Sequence, residues 1–250
     1  MAPVLETRSL DKRFGGIIAA NSISLVIEKG ARHALIGPNG AGKTSFVNLV
    51  TGVLRPSAGR ILLGGEEITH LSQAARVKRG LARTFQINAL FRRLNVIENI
   101  TLAISEREGV AGDFFRPAGR YRAVTEEAYA LLDSLGLADE ALRPVNELAY
   151  GRQRLVEIAV SLGLKPKVLL LDEPAAGVPS GEAGAIVDMI EQLPPHVTLL
   201  IIEHDMDLVF RLASRITVLV QGNVLVEGPP SEIAADPQVR QVYLGEREHR

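Results

Sequence analysis

Gly37-Pro38-Asn39-Gly40-Ala41-Gly42-Lys43-Thr44 decides the fold. The stretch fits G-x-x-x-x-G-K-[ST], and both flanks supply the context that pattern needs. His33-Ala34-Leu35-Ile36 before it reads as a buried strand, and Phe46, Val50 and Val53 after it fall on one face of a helix. Glycines let the backbone wrap inward so that successive amide N–H groups point at one anion, and the helix adds the positive end of its dipole. Lys43 is placed to neutralise terminal phosphates, and the Thr44 hydroxyl suits Mg2+, which takes oxygen ligands and bridges nucleotide phosphates. Asn39, Gly40, Ala41, Gly42 and Ser45 complete the candidate cradle. Kinases, GTPases and ATPases share such a loop, so the class rests on other residues.

Outward from the loop, further buried-strand runs occur at Val168–Leu171, Thr198–Ile202 and Ile216–Val220, with helical periodicity between several of them. A mostly parallel sheet with helices on its faces follows. Upstream, residues 4–10 and 22–27 flank Gly15-Gly16, and Ile61-Leu62-Leu63 runs into Gly64-Gly65, which reads as antiparallel hairpin material. From about residue 87 to 150 the strand signal fades. Ala128, Leu131, Leu132 and Leu135 repeat at helical spacing, and residues 109–113 and 116–119 read as a loop between two helices. Near the end Pro229-Pro230 breaks the chain, and Asp236 with Pro237 is set to start a short helix.

The run Val168–Leu171 delivers Asp172-Glu173 to a strand end, where open α/β sheets bind ligands. Asp172 suits a metal's outer shell and Glu173 a base that orients the attacking water; a helix cap or a plain ion pair is the bland alternative. His204, in Glu203-His204-Asp205, follows another strand and reads either as a γ-phosphate contact or as a satisfied turn residue. Gln86, in Arg83-Thr84-Phe85-Gln86, offers an amide to metal or water at the start of the helical region. Phe14, beside Gly15-Gly16, reads equally as a base-stacking aromatic and as core. Arg76, Lys78, Arg79, Arg83, Arg92 and Arg93 form a basic cluster, either a solvated face or a docking surface.

Composition narrows the class. A hydrophobic share of 46% suits a folded globule, and 28 basic against 29 acidic residues leave no field to hold nucleic acid by counterion release. Cysteine is absent, which removes disulfides and thiolate metal sites. The apolar runs fall short of the roughly 20 residues that a membrane-spanning helix needs. The first residues, Met1–Glu6, lack the pattern of a secretory signal, so a cytoplasmic location is expected.

Leu148-Ala149-Tyr150-Gly151-Arg152-Gln153 resembles the signature motif of ABC transporter ATPases, usually Leu-Ser-Gly-Gly-Gln. The resemblance spans nearly the whole chain, in order: Phe14 as the adenine-stacking aromatic, 37–44 as Walker A, Gln86 as the Q-loop, 148–152 as the signature, 168–173 as Walker B and His204 as the switch histidine. It implies an α/β P-loop ATPase core with a mostly parallel sheet, an N-terminal antiparallel β subdomain and an inserted α-helical lobe. Residues 1–86 and 155–228 are expected to form the core, 87–154 the lobe, and 229–250 a C-terminal helical extension. It also implies ATP and Mg2+ as ligands, with Thr44, Gln86 and Asp172 at the metal. Catalysis falls to Glu173, His204 and Gln86, and ATP is clasped in a head-to-tail dimer against Ala149, Tyr150, Gly151 and Arg152 of the facing subunit.

Lys12–Gly16, Arg83–Gln86, Glu173–Gly177 and the tail from Asp236 to Glu246 are similar to the branched-chain amino acid importer branch, and the segment near 109–121 to its larger ATPase subunit. The partners so implied are transmembrane permease subunits, a second ATPase subunit and, indirectly, an extracytoplasmic substrate-binding protein, which puts the chain at the cytoplasmic face of the membrane. Ile87, Asn88, Leu90 and Phe91 are the expected groove for a permease helix. Three positions depart from the family pattern: Ala149 lacks the usual serine hydroxyl, Arg152 replaces glutamine, and Pro179 stands where the D-loop usually has aspartate. An exporter ATPase of the lipopolysaccharide-transport type shares every catalytic marker. A soluble ABC ATPase of DNA repair or translation usually carries a long coiled coil or a second cassette, and neither appears in the sequence.

Overall fold

The computed structural model describes residues 3–84, 90–110 and 118–244, and its chain divides into two compact units. The first comprises Met1–Ala82, Lys167–Glu173 and Pro194–Arg250; the second comprises Arg83–Pro166 and Pro174–Leu193.

In the first unit, β1 (Pro3–Phe14) and β2 (Ile17–Glu28) form the antiparallel hairpin expected around Gly15-Gly16. With β4 (Ala58–Leu63) and β5 (Glu66–Glu67) they make a four-stranded sheet in the order β2-β1-β4-β5. The second sheet has six strands, ordered β10-β9-β3-β8-β7-β6. These are β3 (Arg32–Ile36), β6 (Leu81–Arg83), β7 (Val168–Asp172), β8 (Thr198–Ile202), β9 (Arg215–Val220) and β10 (Asn223–Gly228). Strand β8 runs parallel to β3 and β7, β3 runs parallel to β9, and only the β9–β10 pair of those four is antiparallel. The near-continuous apolar runs of β7 and β8 follow from this, because central parallel strands are buried on both faces. Leu35, Leu170, Leu200 and Phe46 share one core with Leu10, Ile27 and Ile61 of the other sheet. Each such side chain contributes about 1.5–3 kcal/mol by leaving water.

The helix after the glycine-rich loop, α1, spans Lys43–Thr51 and buries Phe46 and Val50. Val53 does not continue its inner face: Gly52, at φ 83, ends the helix and leaves Val53 49% exposed. Arg76, on α2 (Gln73–Lys78), leaves the expected basic face altogether. It is 2% exposed, and its guanidinium donates to the carbonyls of Leu49 (2.7 Å), Val50 (2.6 Å), Thr69 (2.7 Å) and Leu71 (3.1 Å). A spacing argument sees a charge run, whereas the fold uses one member to satisfy the last carbonyls of α1. His33, read as part of an apolar run, is buried against the Thr217 hydroxyl at 2.7 Å, and desolvation pushes its imidazole down to about 4. Helices α7 (Met206–Leu212), α8 (Pro230–Ala235) and α9 (Pro237–Leu244) complete the unit. Asp236 caps α9 as its sequence position indicated, accepting the amides of Gln238 and Val239 at 2.8 and 3.1 Å.

The second unit packs α3 (Val96–Arg107), α4 (Ala118–Ser134), α5 (Tyr150–Gly163) and α6 (Ser180–Gln192). Helix α4 begins at Ala118, so residues 118–119 are helical rather than part of the expected loop. Arg107 ties three helices, donating to the Gly163 carbonyl at 2.6 Å and to Glu127 at 2.7 and 2.8 Å. With Lys165 also 2.9 Å from it, the Glu127 carboxyl is held down at about 2. Helix α5 turns Leu155, Ile158 and Ala159 inward, as their spacing requires.

Candidate active site

The loop between β3 and α1 is shaped by three glycines with positive φ: Gly37 at 153°, Gly40 at 78° and Gly42 at 100°. A Cβ at Gly37 would collide with the Leu219 carbonyl, and one at Gly42 would stand 2.5 Å from the Ala19 carbonyl. Both neighbours are backbone and cannot swing away, so only glycine fits. At Gly40 nothing lies within 4 Å of that point, and the loop's outer rim is open. Gly42 caps α1, and no acidic side chain stands in the helix's first turn. The Lys43 ammonium folds over the loop, donating to the carbonyls of Gly37 (2.5 Å) and Pro38 (3.1 Å). A cation resting on the loop's own carbonyls, beside helix-terminal amides, is a receptor for an anion the size of a phosphate group. Thr44 is exposed on the first turn, while Ser45 is half-buried behind it.

Strand β7 brings Asp172 to its end and hands over to Glu173, whose φ of 46 lies in the left-handed region. A non-glycine residue there carries strain of about 1–3 kcal/mol, which the surroundings hold in place. The Glu173 amide donates to the Ile202 carbonyl at 2.9 Å, stitching the end of β7 to the end of β8. Thus two residues from separate sequence regions meet: Glu173 Oε1 lies 3.5 Å from His204 Nδ1, with side chains 44% and 63% exposed. The structure also reveals a participant that the motif reading passed over. Glu203 is buried, and its Oε2 accepts the amides of His204 (2.9 Å) and Asp205 (3.3 Å). Burial raises its carboxyl above the ordinary carboxylate range, against the lowering influence of those two amides. The signal was in the sequence, as an acidic residue closing an apolar strand, but motif spacing singled out the histidine.

Phe14 ends β1 with its ring 46% exposed and the Lys12 ammonium 4.9 Å from its centroid, which removes it from the core. Thr44 and Asp172 provide oxygen donors of the kind that Mg2+ accepts. Gln86 lies outside the described residues, as do Ile87 and Asn88. Leu90 is buried, and Phe91 is exposed with its backbone clamped by Asn99.

In the second unit, Ala149 caps α5 and Tyr150 starts it. The Gly151 amide donates to Glu182 Oε2, on the first turn of α6, at 2.9 Å. A Cβ at Gly177 would come within 3.3 Å of the Tyr150 hydroxyl, so the segment after Glu173 and the start of α5 are in close register. Arg152 is already engaged by Glu140 at 2.6 Å and by the Gly136 carbonyl at 2.9 Å. Pro179 is the N-cap of α6, its carbonyl accepting the Glu182 amide at 2.8 Å.

Comparison with known proteins bears on this arrangement at the scale of the whole chain. Residues 20–176, more than half of it, match the ABC transporter family, and residues 223–249 match a family described as branched-chain amino acid ATP-binding cassette transporter. The high-affinity branched-chain amino acid transport ATP-binding protein BraF of Pseudomonas aeruginosa is 40% identical over 98% of both chains. LivG of Escherichia coli, of the same description, is 39% identical over the same shares. Among solved structures, the ADP conformation of an ATP-binding cassette of an ABC transporter superposes with a TM-score of 0.84 at 30% identity, covering 98% of this chain and 100% of that one. The glycine-built anion receptor and the carboxylate at the end of β7 therefore sit in a P-loop ATPase fold, and the chain belongs to the ABC transporter family as a nucleotide-binding, ATP-hydrolysing subunit.

Proposed function

We propose that the chain is the ATPase subunit of an importer for branched-chain or related amino acids, working at the cytoplasmic face of the membrane through separate permease subunits. Its likeness to BraF and LivG over 98% of its length, together with the match at residues 223–249, supports that cargo. Among the described residues no helix is long and apolar enough to cross a membrane; the likeness to transport ATP-binding proteins supports separate permeases as the path for the cargo.

The observation that carries the chemistry is the 3.5 Å approach of Glu173 to His204 at the end of the sheet that also bears the glycine loop. The amides of residues 39–45 and the Lys43 ammonium hold the β- and γ-phosphates, and Phe14 stacks on the base. Thr44, Asp172 and Gln86 would hold Mg2+, which when bound neutralises phosphate charge. Glu173 accepts the proton of the attacking water, and His204 steadies the γ-phosphate region beside it. The start of α5, with Ala149, Tyr150 and Gly151, meets the nucleotide of a second ATPase subunit, and Gly151 offers its amide there, while the Arg152 side chain stays on Glu140. Closure around ATP and release after hydrolysis drive the permeases, which receive cargo from an external binding protein.

Glu173→Gln keeps the side chain's shape but removes the base. Nucleotide binding should be retained while turnover falls by about 10²–10⁴-fold, the usual contribution of a positioned general base. Undiminished turnover would take Glu173 out of that role. For the cargo, the chain is purified with its permeases in lipid vesicles: leucine, isoleucine or valine with its binding protein should raise the ATPase rate. Stimulation by a lipid substrate instead would favour the exporter reading.

A further inference from the structure

Glu203 presents an unusual expense for a stable fold. Its side chain is 3% exposed at the end of β8, and among the described residues no lysine or arginine pairs with it. A buried carboxylate without a cation costs stability unless hydrogen bonds hold it, and an apolar or amide residue of similar size would avoid that cost. What holds it is local and directional. A single oxygen, Oε2, accepts two successive amides, those of His204 and Asp205, and lies 3.6 Å from His204 Nδ1. The same ring nitrogen is 3.5 Å from Glu173 Oε1. One imidazole nitrogen thus has two carboxylates near it, one buried and held by two amides, the other exposed.

The turn is pinned on both sides of the histidine. Ahead of it, the Ile202 carbonyl takes the Glu173 amide at 2.9 Å; behind it, Asp205 caps α7 by accepting the amides of Asp207 and Leu208 at 2.9 and 3.3 Å. Without Glu203, the His204 amide loses its acceptor and the ring loses one of the two carboxylates beside its Nδ1. We infer that Glu203 is a positioning residue for ATP hydrolysis: its carboxylate locks the turn after β8 and aims the His204 ring at Glu173. The inference rests on the reading that Glu173 and His204 act in hydrolysis. It explains why a carboxylate persists where burial disfavours its charge.

The test uses the full chain, with turnover counted per bound nucleotide. Glu203→Ala should lower kcat by about 10- to 100-fold, the scale of a misplaced reacting group, with the KM for ATP within about twofold of the parent. Because the residue acts through the ring, the same substitution on a His204→Ala background should cost nothing further. Glu203→Gln retains an acceptor and relieves the buried charge, so it should restore most of kcat while melting at or above the parent temperature. A purely structural residue would instead lower the melting temperature in both variants and leave kcat per site intact. That result, or an undiminished loss on the His204→Ala background, overturns the inference. If Glu203→Ala does not fold, Glu203→Met keeps the length without the acceptor and is read in the same way. Should His204→Ala and Glu173→Gln themselves leave turnover unchanged, the hydrolytic reading fails; should they slow it while Glu203→Ala does not, only the role of Glu203 falls.

Discussion

Two helix N-termini, one in each unit, meet the same electrostatic demand in opposite ways. Both α1 and α5 begin with amides that have no partner within the helix, and both attract negative charge. At α1 glycine caps the helix, and no acidic residue stands in its first turn. At α5 the chain answers from within, by docking the Glu182 carboxylate on the Gly151 amide at 2.9 Å. In the first case backbone crowds the Cβ positions of Gly37 and Gly42 and leaves that of Gly40 open; in the second a side chain occupies the amide. One helix start is thus kept clear of side chains by crowding at its glycines, whereas the other is furnished with a carboxylate from a neighbouring helix.

The comparison breaks most severely at Gly42. An alanine there must adopt φ near 100 and press its Cβ on the Ala19 carbonyl, so nucleotide affinity by calorimetry should fall at least about tenfold, from backbone strain alone. Gly40→Ala, in open space, bears only the cost of its positive φ and should lose less; equal losses would mean that crowding is not what shapes the loop. A smaller effect is expected at α5. Glu182→Ala removes a helix-terminal acceptor and should lower folding stability by about 1 kcal/mol in denaturant titration. On the proposed clasp of a facing subunit's nucleotide by the start of α5, it should also shift half-saturation of the ATPase to lower ATP, because Glu182 would no longer compete for the Gly151 amide. A shift to higher ATP would show that Glu182 organises the turn rather than competing for it. The smallest change belongs to Arg152→Gln. The arginine is spent on Glu140, in a part-buried pair, and on the Gly136 carbonyl, so turnover should stay within about twofold while stability falls by about 1 kcal/mol. A large loss of turnover would bring the side chain into the site.

The glycine loop was legible because positive φ and close backbone approach are demands of local backbone, and local demands leave a fixed spacing. The buried strands β7 and β8 were legible because burial on both faces erases polar residues from the run. Gly151 is named by its motif, but its partner Glu182 is not, because their contact spans 31 positions and depends on how α5 meets α6. Arg76 was misread because charge spacing says nothing about where a guanidinium ends, and here it ends among carbonyls 26 and 27 positions earlier in the chain. The approach of Glu173 to His204 was foreseen only as two roles; the stitch between the Glu173 amide and the Ile202 carbonyl, which brings them together, has no sequence signature.

Arg76 has one more consequence. Helix α1 ends against a permanently charged guanidinium that grips the carbonyls of Leu49 and Val50, and Gly52 makes room for it, since a Cβ there would stand 2.9 Å from Arg76 Nε. The helix is therefore clamped at its tail before any phosphate arrives at its head. Docking a triphosphate need not be spent on straightening or immobilising that segment, which leaves more of the interaction for work done elsewhere in the transport cycle. A lysine, with three donors on one nitrogen, could not reach all four of the carbonyls that the Arg76 fork holds, those of Leu49, Val50, Thr69 and Leu71.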